Sequence, residues 1–179
     1  MIDPAVGALL AGAFALLFVS AAFHKLVDLR AFTETFRAYA VVPQGLAWLA
    51  PAVPLLELTV GAGLLAGASR TGAAASGVAL LLTYAGAIGI NLARGRRDLA
   101  CGCGGANDQR PIAAWMVWRN LLLAALLAAT LRPWLARPLD AADAVTIGAG
   151  TAVAALLYMS VDGVLGRLMP RTALWRGSR

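Results

Sequence analysis

Charge is what this sequence has least of. Only 13% of its 179 residues are Asp, Glu, Lys or Arg, while 60% are hydrophobic and the mean hydropathy is +0.76. Soluble domains carry about 25% charged residues. No soluble fold of this length hides so much apolar surface, so the solvent is lipid. The net charge of +6 therefore belongs to residues flanking apolar runs, where it serves topology and anionic headgroups rather than nucleic acid. Histidine occurs once and cysteine twice, which excludes a four-ligand zinc site built from Cys and His alone. Nucleotide loops, catalytic serine motifs and internal repeats are missing as well. The first apolar run has no basic segment ahead of it, so it is expected to remain as a membrane helix rather than to be cleaved as a signal peptide.

What is present is a series of apolar runs, read as one membrane domain over residues 1–179. The expected fold is all-α: a polytopic helical bundle of about five transmembrane helices, or four plus a peripheral one. The spans fall at about 4–23, 45–69, 71–93, 111–131 and 141–161. Twenty apolar residues at 1.5 Å each cross a hydrocarbon core of about 30 Å. Between the first two spans, Leu29, Phe32, Phe36 and Tyr39 make one helical stripe, with Arg30, Glu34 and Arg37 opposite. That pattern predicts a short interfacial helix closed by Pro43, with a polar connector as the alternative for so short a piece. Pro51 and Pro54 interrupt the second span, and prolines inside a helix bend it.

Lys25, Arg30, Arg37, Arg94, Arg96, Arg97, Arg110 and the tail arginines all fall on one side, eleven against three on the other. The positive-inside rule makes the crowded side cytoplasmic, with the N-terminus outside. Within the spans, Glu57 and Arg119 stand out, because a charge at membrane depth costs about 2.5–3.5 kcal/mol. Uninterrupted helices would place Glu57 roughly 18 Å and Arg119 roughly 12 Å deep from that side. The two are expected to pair. His24 ends the first span on the same side; Glu57 and His24 are candidates for proton handling.

The rest of the chain is arranged around the loop 94–110, which holds Cys101-Gly102-Cys103-Gly104-Gly105. Bystander cysteines sit in apolar runs, whereas these two lie in a Gly-rich polar loop among Arg94, Arg96 and Arg97. A nearby guanidinium, from Arg94 or Arg119, favours thiolate over thiol and so favours exchange. A ring closed over one residue adds almost nothing to stability, which suits transfer more than a structural cross-link. The same two thiolates, Cys101 and Cys103, also suit Cu(I). Spacing leaves a redox pair, a copper site and a non-catalytic assembly loop open; on the redox reading no cofactor is required.

His24-Lys25-Leu26, Tyr39 with Pro43, Pro54-x-x-Glu57 with Gly61, Asn91-x-x-Arg94-Gly95-Arg96, Cys101-Gly102-Cys103-Gly104 and Arg119-Asn120 follow one another in a familiar order. In this the chain resembles the MauE family of methylamine-utilisation membrane proteins, relatives of the DoxX-like group. The family often has an aromatic residue between the last Cys-Gly and the next glycine, and Gly104-Gly105 lacks it here. The resemblance implies a multi-pass protein of the bacterial cytoplasmic membrane that helps form or shuffle disulfides in an exported protein. Its partner would be a membrane-tethered thioredoxin-like protein, and it would act as a thiol–disulfide oxidoreductase or its accessory. In the named family the client is the disulfide-rich small subunit of methylamine dehydrogenase. Disulfides form outside the cytoplasm, whereas the charge count places the loop inside.

Overall fold

The structure, a computed structural model, describes residues 1–101 and 110–168; Cys103 and the arginines at 171, 176 and 179 lie outside the described residues. The described residues form α1 (Pro4–Val27), α2 (Leu29–Ala38), a 3₁₀ helix η1 (Gln44–Leu49), α3 (Ala52–Leu65), α4 (Arg70–Ala93), α5 (Ala114–Ala129) and α6 (Ala141–Leu168). Asp3 starts α1 by accepting the Ala5 N–H at 2.8 Å, with Pro4 in the first turn, where its missing N–H costs nothing. Asp28 does the same for α2 through Ala31 at 2.9 Å. No residue of α2 is fully buried; Leu29, Phe32 and Phe36 of its apolar stripe are half-buried, whereas Arg30, Glu34 and Arg37 opposite are exposed.

α1, α3, α4 and α5 make a four-helix bundle. Phe14, Ala15 and Phe18 of α1 meet Val60 and Leu64 of α3, Ala74 and Leu81 of α4, and Ala124 and Leu127 of α5 in one apolar core. Gly77 of α4 lies at its centre: a Cβ there would come within 2.7 Å of Leu127 and 3.0 Å of Phe18. α6 stands outside this bundle and packs on α1, with Gly150 against Leu9 and Thr151 against Gly12. The arrangement is thus four helices plus a peripheral one. Leu16, Phe23, Leu55, Leu82, Trp118, Leu122 and Leu156 all point outward and are exposed. An apolar exterior of that extent suits lipid. The fold is a helical membrane bundle.

Three helices, α1, α4 and α6, are long and apolar enough to cross a membrane. α3 and α5 are shorter, at 14 and 16 residues. The reading of 45–69 as one continuous span is revised: the chain runs through η1 and restarts as α3 at Ala52. Pro51 and Pro54 explain this, since each lacks the N–H that would carry an α-helix through from Gly45. Pro54 itself lies in the first turn of α3, where that lack is tolerated.

At the end of the bundle away from the cysteines, Ile2 pairs with residues 133–135 through Ile2 N–H to Pro133 O at 3.0 Å and Leu135 N–H to Ile2 O at 2.8 Å. Trp134 packs on Gly7, and the Arg70 guanidinium lies 3.9 Å over its ring. Arg137 bonds Asp3 and holds that carboxyl below its ordinary range.

Candidate functional site

The cysteine loop springs from the C-terminus of α4. Gly95 adopts φ +75°, so Arg96 N–H reaches back to Asn91 O and Gly95 N–H to Leu92 O, each at 3.0 Å. This is a Schellman motif, and it requires a residue at ease with positive φ. The chain then extends, and Cys101 N–H donates to Arg110 O at 3.1 Å while Ile112 N–H donates to Leu99 O at 2.9 Å. The two ends of the loop are therefore tied together directly before and after the residues outside the described set. Cys101 is buried in a second apolar cluster with Ile88, Leu99, Ile112 and Met116, against Tyr39, Leu92 and Trp115. Its carbonyl accepts a long bond from the Tyr39 hydroxyl at 3.4 Å.

The same end of α4 captures the end of α2. Arg96 donates to Ala38 O at 2.7 Å, Asn91 to Tyr39 O at 3.0 Å and Arg94 to Ala40 O at 3.2 Å. Arg96 also bonds the Asn91 side chain at 3.1 Å. Consecutive carbonyls that a helix end leaves without partners are thus satisfied from one neighbouring element. Ala40, at φ +48°, turns the chain away. Arg94 was expected beside the thiolates; its guanidinium is spent on this clamp. Arg96 and Asn91 belong to the same clamp, and their place in the Asn91-x-x-Arg94-Gly95-Arg96 string was the signal for it.

Two charged networks lie in the bundle, and they correct the expected pairing of Glu57 with Arg119. Glu57 is instead gripped by Lys25 of α1, whose Nζ lies 2.6 Å and 2.9 Å from the two carboxylate oxygens. Tyr84 of α4 donates its hydroxyl to the same carboxylate at 2.7 Å. Phe32 of α2 and Tyr84 place their rings 5.7 Å and 5.5 Å from the ammonium. Lys25 and Glu57 are both buried. The reason for the change is register. With α3 starting at Ala52, Glu57 lies in its second turn, opposite the last turn of α1.

Arg119 pairs with Asp162 of α6, which also accepts from Arg110 at 2.9 Å. Arg110 further donates to the Asp162 carbonyl at 3.0 Å. Arg119 lies 5.1 Å from the Trp115 ring. Asp162 for Arg119 and Lys25 for Glu57 are thus the partners that sequence reasoning did not assign. The signal for Asp162 was its place at a span end on the cysteine side of the bundle. Arg110 is the residue whose own carbonyl holds Cys101, so α6 is fastened to the base of the cysteine loop. His24 joins neither network; it is exposed, with its ring 6.2 Å from that of Phe23.

The geometry gathers four described candidates, Cys101, Arg94, Arg119 and Glu57, at one end of the bundle through these networks. It leaves His24 outside them. Chemically, the loop base offers a shielded thiol at Cys101 in an apolar cluster, with the guanidiniums of Arg94 and Arg96 on the end of α2 and those of Arg110 and Arg119 on Asp162.

Comparison with known proteins places this assembly. The family model described as methylamine utilisation protein MauE matches residues 3–135, from the cap of α1 past the end of α5, and stops short of α6. A methylamine utilization protein MauE of Paracoccus denitrificans is 34% identical over 166 residues, covering 89% of this chain and 87% of its own. That of Paracoccus versutus is 35% identical, with 98% and 96% covered, and that of Methylorubrum extorquens is 32% identical, with 90% and 86% covered. No solved structure matches. Since the matched stretch contains the four-helix bundle, both halves of the loop base and the α2 clamp, this chain belongs to the MauE family.

Proposed function

We propose that this chain is a thiol–disulfide exchange component of the bacterial cytoplasmic membrane, crossing it several times. It would support disulfide formation in an exported protein together with a thioredoxin-like partner. The observation that carries this reading is the loop base. Cys101 is fixed by its backbone to Arg110 and buried against the bundle. Two residues on, Cys103 follows in a Gly-rich segment. A pair with one thiol shielded and its neighbour in a loop suits stepwise exchange. A thiolate of this pair attacks a partner's disulfide, forming a mixed disulfide and releasing one partner thiolate. The second cysteine then attacks, closing the Cys101–Cys103 disulfide and releasing the partner as a dithiol. The reverse sequence oxidises a partner dithiol, and two electrons move in either direction with no further cofactor.

The relatives' names connect the family to methylamine utilisation, and we extend that process to this chain; the client is identified here only by its chemistry, an exported protein with several cysteines. Redox titration of the purified protein with thiol alkylation and mass readout tests the reading. A reversible transition between two free thiols and one disulfide is expected. Thiols that stay reduced at every potential of an oxidising compartment, with tight Cu(I) binding, would replace it by the copper-handling alternative.

A further inference from the structure

The base of the cysteine loop has an unused edge. In an antiparallel pair, successive residues turn their backbone groups alternately toward the partner strand and toward the opposite side. Cys101 bonds Arg110 and Leu99 bonds Ile112, so Ala100 and Pro111 face each other as the pair that exchanges no hydrogen bond. Proline is at home there, because no N–H is needed from it. Ala100 then directs its own N–H and C=O away from residues 110–112. Among the described residues neither group has a partner. Such groups are strong donors and acceptors that folded chains rarely leave unused.

This edge lines a cleft of about 300 Å³, with Asp98 and Leu99 beside Ala100 and with Glu34, Ala38 and Tyr39 of α2 opposite. Cys101 ends the edge. The cleft is acidic: Asp98 is exposed with no ion pair among the described residues, and the exposed Glu34 has only Arg30 at 3.4 Å. Of the basic residues just before it in sequence, Arg94 and Arg96 are committed to the carbonyls of Ala40 and Ala38, and Arg97 is exposed and does not line the cleft. An anionic lipid headgroup would be repelled here. An extended polypeptide with a basic side chain finds main-chain partners along one wall and opposite charge at two positions.

We propose that the cleft docks an extended segment of the protein whose thiols exchange with Cys101 and Cys103. The segment adds as a strand along 98–101 and sets a Lys or Arg between Asp98 and Glu34. This deepens the redox reading and rests on it for the identity of the occupant. Docking would bring the segment's cysteine alongside the loop without a dedicated side-chain pocket, so clients of differing sequence share one mode of recognition.

The test uses the full chain in detergent micelles and three fluorescent pentapeptides of alternating valine. One carries a central arginine, one a central glutamate, and one is the arginine peptide N-methylated at alternate residues. Serine stands where a client cysteine would, so binding is read apart from exchange. The arginine peptide should bind, and N-methylation and the change to glutamate should each weaken it about tenfold or more, the effect of one lost charge-assisted or main-chain bond. Asp98→Lys should reverse the preference between arginine and glutamate. Ala100→Pro should weaken the arginine peptide by a similar factor; the exposed Asp98 variant keeps the test decisive if Ala100→Pro does not fold. Equal binding of all three peptides, no binding at about 1 mM, or a preference that Asp98→Lys leaves unchanged overturns the docking site. A fourth peptide with cysteine separates the two readings. Docking without exchange at Cys101 or Cys103 would sink the redox assignment and leave the cleft standing.

Discussion

Lys25 and Glu57 are locked together inside the bundle, the ammonium within 2.9 Å of both carboxylate oxygens and both side chains almost wholly removed from the surroundings. This pair joins α1 to α3, and Tyr84 extends it to α4. Neither partner is affordable alone at that depth, so each of the single changes should be costly.

Glu57→Gln or Lys25→Met should each destabilise the protein by about 3–5 kcal/mol, because the remaining partner stays buried without its counter-charge. The double variant should lose much less than the sum. Tyr84→Phe should cost about 1 kcal/mol, one hydrogen bond to a charged acceptor shared with Lys25. A double-mutant cycle of thermal stability in one detergent measures all of these. Strict additivity of Lys25 and Glu57 would show that the pair is not a coupled unit.

Glu57 and Arg119 should behave independently, since they belong to separate networks with separate partners. Arg119→Gln combined with Glu57→Gln should give the sum of the two effects to within about 0.5 kcal/mol. Arg119 and Asp162 should couple instead. Asp162→Asn leaves Arg110 and Arg119 without their carboxylate, and it should speed amide exchange at Cys101 and Ile112 as well as along the end of α6. A change confined to α6 would mean that the loop base does not depend on it.

The contrast between these two cases shows how far the sequence could be read. Glu57 and Arg119 were legible as charges that must find partners, because the cost of an unpaired charge in lipid is general. Which partners they take depends on helix register, and register was lost at Pro51. Counting 1.5 Å per residue from Gly45 presumes a helix that does not begin until Ala52. Once it restarts there, Glu57 rises level with Lys25. The short helix after the first span was legible from its stripe of Leu29, Phe32 and Phe36, and α2 forms there; Asp28 caps it and Gly95 ends α4. Each of these is decided within a few residues. The clamp of Arg94, Arg96 and Asn91 on α2 joins positions more than fifty residues apart, and no short-range pattern names the acceptors.

Orientation gives a third prediction. Lys25 is buried against Glu57, so it no longer counts among the basic residues facing the membrane surface, yet the bias of the remaining ones is unchanged in sign. In a Cys101→Ala variant, a membrane-impermeant maleimide should label Cys103 only after permeabilisation. Rapid labelling in intact spheroplasts would instead put the loop on the side where disulfides form, and would make the positive-inside count misleading for this bundle.

The two cysteines should differ in kind. Cys101 is buried to 8% exposure and packs against Ile88, Leu99, Ile112 and Met116. An incoming disulfide needs an exposed sulfur in line with its own S–S bond, and access limits the rate as much as thiolate content does. On the exchange reading proposed above, first attack on a partner should fall to Cys103, with Cys101 resolving the mixed disulfide from its fixed place at the loop base. Cys101→Ser should accumulate a mixed disulfide with a thioredoxin-like partner, visible as a reductant-sensitive band on a non-reducing gel. Cys103→Ser should accumulate none, and its remaining Cys101 should react with iodoacetamide at least tenfold more slowly in the folded protein than after denaturation, as expected of a thiol held in an apolar cluster. If Cys103→Ser is the variant that traps the partner, the shielded thiol is the nucleophile, and the loop base must open during the reaction.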